Sequence, residues 1–125
     1  MLAIRSPHEA YRRIDFDARV EGADPKHLVG LCCEQLISSL GSAIFAQERG
    51  DNSLKSQALT RGLSAITALQ LGVSGEDTTA QALRHLYEAT RRAILDSAIE
   101  FDGAILGTIR NDFIEIWRAM NTAAN

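Results

Sequence analysis

The sequence predicts an all-α protein: an antiparallel up-down four-helix bundle preceded by a short extra N-terminal helix. Three observations carry that expectation. Apolar residues recur at three- and four-residue spacings through four long stretches. Punctuation such as Arg49-Gly50-Asp51-Asn52 and Asp102-Gly103 separates those stretches by only a few residues. No run alternates apolar and polar residues with the two-residue period of a strand. Long helices joined by such short connections must lie antiparallel to their sequence neighbours.

The first element is the short one. Ser6-Pro7-His8-Glu9 reads as a capping box with Pro at the first helical position, and Tyr11, Ile14 and Ala18 follow at helical spacing. With Phe16 off that stripe and Gly22 close behind, the segment is too weak to stand alone and needs a surface to dock on. The chain therefore divides into an N-terminal segment, residues 1–22, and a helical bundle domain, residues 23–125.

Asp24 is the expected N-cap of the second helix, with Pro25 at N1. Leu28, Leu31, Cys32, Leu36, Leu40 and Ala43 form one apolar row, and Val29, Cys33, Ile37 and Ile44 form another beside it. An ordinary surface helix has a single stripe of roughly 100°, so the wider face implies a second surface to bury, expected here to be a partner's. In the third helix Leu54, Ala58, Gly62, Ala65, Ile66 and Leu69 share a face that Leu59 and Leu63 widen. Gly72 and Gly75 break the chain before a fourth helix with Leu83, Leu86, Tyr87, Thr90, Ile94, Ala98 and Phe101 on its apolar side. Asp102 then caps a fifth helix carrying Ile105, Ile109, Phe113, Ile116 and Met120, with Leu106 and Trp117 on adjoining rows. Small residues at mid-helix positions (Gly41, Ser42, Gly62, Ser64, Ala65, Gly107) allow either close helix packing or a groove shaped for a foreign helix.

Composition narrows the functions available. A chain of 125 residues and 13.6 kDa suits one domain, and 46% hydrophobic with 23% charged residues argues against a disordered chain. A net charge of -3 without a dense Lys/Arg cluster argues against nucleic acid as a main partner. The apolar opening before Arg5 is too short for a signal-peptide core, and no later stretch reads as a membrane span of ~20 residues, so a cytoplasmic protein without membrane insertion is expected. Cys32 and Cys33 are adjacent in a helix, where a disulfide would be strained, and read as reduced packing residues. No Glu-x-x-His pair, glycine-rich phosphate loop or ordered nucleophile-base arrangement is present, so neither metal nor cofactor nor enzymatic activity is expected. His85 is the best remaining candidate for chemistry, as a phosphotransfer histidine. Glu88 one turn on would repel a phosphoryl group.

The segment AYRRIDFDARVEGADPKHLVGLCCEQLISSL resembles the N-terminal signature of the flagellin export chaperones called FliS, roughly AYxxxxxxxxVxxASPxxLVxMLYxGAL, matching at Tyr11, Val20, Ala23, Pro25, Leu28 and Val29 without a gap. LRHLYEATRRAILDSAIEFD is similar to the family's LYxLYxYMxxRLxxAN stretch at Leu83, Leu86, Tyr87, Arg92 and Ile94, and DFIEIWRAM resembles its closing helix with Trp117 in place. The chain departs from the pattern at Cys32-Cys33, Gln35, Ala98 and Ile114.

The resemblance implies a cytoplasmic chaperone that binds the disordered C-terminal region of flagellin in apolar grooves, prevents premature polymerisation and assists delivery to the flagellar type III export apparatus. The partners it implies are the flagellin segment and the export gate protein, with a homodimer as the state to test without client. Helix-in-groove docking would then use the second apolar row: Val29, Cys33, Ile37, Leu40, Ile44, Leu59, Leu63, Ile66 and Tyr87. Tyr11 and Ile14 would cap that groove when no client is present. Two other readings stay open: a histidine phosphotransfer bundle using His85, and a structural homodimeric bundle. Deleting residues 1–18 is expected to strengthen client binding in a titration, and unchanged or weaker affinity would remove the cap.

Overall fold

The computed structural model describes residues 25–123, which form four helices: α1 (Pro25–Arg49), α2 (Asn52–Leu71), α3 (Thr78–Ile99) and α4 (Gly103–Ala123). Among the described residues there is no strand. The short helix expected within residues 1–22, with Tyr11 and Ile14, lies outside the described residues.

Local chemistry sets the helix ends. Gly50 adopts a left-handed φ of 70°, its N–H donates to the Gln47 carbonyl, and the Asp51 N–H donates to the Ala46 carbonyl, which is the Schellman pattern. Asp51 then turns from stop to start: its carboxylate accepts from the Leu54 N–H at 3.0 Å, capping α2. Asp77 does the same for α3, accepting from Ala80 at 2.8 Å, and Asp102 for α4, accepting from Ile105 at 3.1 Å. Gly75, with φ 89°, supplies the left-handed residue in the longer α2–α3 connection.

The helices form a ring in which each packs on two neighbours and faces the fourth across the core. Side-chain contacts fix the directions. Lys55 near the start of α2 donates to Gln47 near the end of α1, and Gln70 near the end of α2 donates to Glu88 in α3, each at 2.9 Å. Arg110 Nε in α4 donates to the Ile37 carbonyl of α1 at 3.1 Å. All four seams are therefore antiparallel. They are unequal: α1–α2 is the most extensive and α3–α4 the least.

Gly62 explains part of that inequality. A Cβ there would lie 3.6 Å from both Ser39 Cβ of α1 and Ile94 Cδ1 of α3, so its bare backbone meets two neighbouring helices at once. Around it Leu36, Leu40 and Ala43 of α1, Ala58 and Ile66 of α2, and Leu106 and Phe113 of α4 are fully buried. The buried hydroxyls of Ser39 and Thr90 donate to the carbonyls of Gln35 and Leu86 one turn back, so they enter the core with partners. Across the thin α3–α4 seam, Tyr87 and Phe113 stack with centroids 6.2 Å apart and planes 20° from parallel.

Two sequence expectations need correction. Ser97, not Ala98, is the buried residue of the last α3 turns; it continues the spacing of Thr90 and Ile94, whereas Ala98 is exposed just before α3 ends. Lys26–Arg49 is also long and apolar enough to cross a membrane by length and composition, with a mean hydropathy of 1.5, contrary to the expectation that no stretch would qualify. Its apolarity is spent inside the bundle, because α1 packs on α2 along one flank and on α4 along the other.

Phe113→Ala removes the largest fully buried side chain and is expected to cost about 3–5 kcal/mol of stability. Denaturant unfolding checks this; a loss below about 1 kcal/mol would mean that Phe113 does not hold the α3–α4 seam.

Candidate functional site

The described residues offer little for chemistry. No group of His, Cys, Asp and Glu among them is placed to hold a metal ion. His85 is exposed on α3, and Glu88 one turn later accepts from Gln70 and lies 3.6 Å from Arg91 and 3.9 Å from Arg92. The Cys33 thiol is pushed up from its ordinary 9.0 to about 11, first by burial and then by the neighbouring Cys32 and Glu34. Burial also raises Cys32. Both stay protonated at neutral pH, the poorly nucleophilic form.

Surface apolarity is more informative. Of the residues expected to line a groove, Cys33, Leu40, Leu59, Ile66 and Tyr87 are buried in the core cluster, where a docked segment would not touch them in this state. Val29, Ile37, Ile44 and Leu63 lie at its margin, half-buried. The reason is the neighbour on the far side of α1. The row that begins at Val29 and Cys33 runs on into the α1–α4 seam, where Ile44 Cδ1 faces Gly107 and the Ile37 carbonyl meets Arg110.

Other half-exposed apolar rows lie on α3 and α4. On α4, Gly107 and Arg110 flank Phe113 on the side that touches α1; Ile105, Ile109 and Ile116 lie on the opposite flank, toward α3. On α3, Glu88 marks the flank toward α2, which leaves Leu86 and Ala93 on the flank toward α4. These two flanks border the thinnest seam. Ile105 is 49% exposed, and Leu86, Ile109 and Ile116 are half-buried. Helical period alone placed these isoleucines on an apolar face; it could not show how far apart α3 and α4 stand.

A concavity lies in the α1–α4 seam, a depression of about 380 Å³ lined by Gly41, Ile44, Phe45, Glu48, Gly107, Arg110 and Asn111. Phe45 is half-exposed there, with the Arg49 guanidinium 5.2 Å from its ring centroid. The bundle thus carries half-exposed apolar side chains along two of its seams, suited to contact with an extended or helical segment.

The family model of the flagellar protein FliS matches residues 7–124, almost the whole chain. The chain belongs to the FliS family. A comparison with curated proteins finds no match. FliS proteins are a family of flagellar chaperones that bind flagellin-type clients, and an all-α bundle accords with that.

The buried thiol has a pH signature in this FliS-family protein. A thiol whose folded pKa lies above its unfolded value contributes stability that is complete below about 9 and is lost as pH rises through about 11. Stability measured from pH 8 to 11 is expected to fall, and to fall less steeply in Cys33→Ala. Identical slopes in the two proteins would show that Cys33 is not linked to folding.

Proposed function

We propose that this protein is a cytoplasmic export chaperone for flagellin: it binds the disordered C-terminal region, covers the segment's apolar faces before they can polymerise, and assists delivery to the flagellar type III export apparatus. Membership of the FliS family over residues 7–124 is the observation that carries this reading. The half-exposed apolar rows on the bundle flanks support it.

The physics suits such a task. Flagellin termini pair through amphipathic segments in the filament, so a free subunit exposes apolar helix faces. Seams bordered by Ile105, Ile109, Ile116 and Leu86 on one side of the bundle, and by Ile37, Ile44 and Phe45 on another, would receive anchors spaced i, i+3, i+4, i+7 from a client that folds as it binds. Ordering the client uses part of the binding free energy, which keeps a large interface from becoming irreversible. Val29 and Leu63 complete the docking residues retained from the sequence reading; Cys33, Leu40, Leu59, Ile66 and Tyr87 would support the grooves from beneath. Tyr11 and Ile14 remain the proposed cap, and the export gate the proposed second contact.

The test is titration with the C-terminal segment of flagellin from the same organism, following heat and Trp117 fluorescence together. Saturable binding with a negative heat-capacity change and a gain in client helicity is expected. Ile105→Asp, which places a charge on a half-exposed row without entering the core, is expected to weaken binding roughly tenfold. Absence of binding by the folded wild-type protein would refute the chaperone reading. Full affinity in Ile105→Asp would remove the α3–α4 seam from the client path.

A further inference from the structure

The α1–α4 depression holds a charge arrangement that apolar docking does not use. Arg110 Nε donates to the Ile37 carbonyl at 3.1 Å, a carbonyl inside α1. The guanidinium lies close over residue 41, which has no side chain: a Cβ on Gly41 would come to 3.0 Å from Arg110 Nε and 3.5 Å from Cζ and Nη2, so the guanidinium would have to shift by a few tenths of an ångström. Gly41 and Arg110 therefore form a close pair, with the guanidinium held against the backbone of α1 by its bond to the Ile37 carbonyl.

The remaining N–H donors of Arg110 have no hydrogen-bond or ion-pair partner among the described residues. Those donors are open to solvent, since Arg110 is only half-buried, and the fork of a guanidinium matches a carboxylate better than any other group available on a protein. Glu48, the carboxylate on the same depression, sits two turns along α1 from Gly41 and forms no ion pair with Arg110. Between the two ends stand Ile44 and half-exposed Phe45.

Building on the chaperone reading, we propose that Arg110 is a specificity-determining residue that receives a carboxylate of the docked client, an Asp or Glu about one turn from an apolar anchor seated on Ile44 and Phe45. The occupant is thus an amphipathic helical segment of a flagellin-type client with an acidic residue beside its apolar face. Ile44 and Phe45 supply apolar contact with little sense of position along the seam. The guanidinium fixes the register, because only one placement of the client brings its carboxylate to the fork.

The test measures affinity of the full-length protein for the C-terminal flagellin segment in wild type, Arg110→Gln and Gly41→Ala, with folding verified by thermal melting. Both variants are expected to bind about tenfold more weakly and with less dependence on salt. Gly41→Ala keeps the charge and moves only its position, so it separates fork geometry from net charge. Replacing the client's Asp and Glu residues singly by their amides should reveal one whose effect disappears in Arg110→Gln. Wild-type affinity in both variants, or no client carboxylate coupled to Arg110, overturns the inference while leaving the chaperone reading intact. Failure of wild type to bind the segment at all refutes the chaperone reading, and this inference with it.

Discussion

The double-sided burial of α1 is the constraint on which the rest of the bundle depends. A helix with one apolar stripe needs one neighbour; α1 has an apolar face wide enough for two, and α2 and α4 take the two halves. Leu36, Leu40 and Ala43 reach the centre, where exposure is zero, while Ile37 and Ile44 run along the α4 side. Closure of the ring follows from that, since α4 is drawn back to α1 and α3 is left to pack on α2. The α3–α4 seam is then the place where the ring is least tightly drawn.

This geometry accounts for what was legible in the sequence and what was not. Among the described residues, the number, order and direction of the helices were legible because they rest on local chemistry. Gly50 with Asp51, Gly72 with Gly75, and Asp102 behave as stop and start signals whatever surrounds them. The wide face of α1 was legible too, but its second half was assigned to a partner when it belongs largely to α4. One sequence gives the period of each helix and not its rotation about its own axis, so Cys33 and Ile66, which are core, could not be told from Ile44 and Leu63, which are marginal. Arg110 carried no periodic signal at all. Its contact with the Ile37 carbonyl joins residues far apart in the chain, and the only trace of it was the pair of glycines at 41 and 107.

Apolar side chains left at the surface set a conflict between solubility and use. Among the described large apolar residues Ile99 and Leu71 are the most exposed, at 91% and 84%, and each stands at a helix end. Scattered exposure of that kind is ordinary in soluble proteins. Rows along a seam are different, because several half-exposed side chains at helical spacing form a continuous surface that costs solubility unless something covers it for part of the time. A chaperone must keep such a surface without aggregating through it. Shallow seams between helices achieve that better than a flat patch, since a second bundle cannot fit into them as closely as a single segment can.

The two-residue joint at Gly50 and Asp51 also bears on the order in which the molecule assembles. It ends one helix and starts the next with no slack, so α1 and α2 meet after closing the shortest loop in the bundle, along its most extensive seam. Those residues are also synthesised before α3 and α4. The nascent chain therefore carries a paired hairpin while half of its bundle is still being made, and the seam that forms last is the one most easily left ajar.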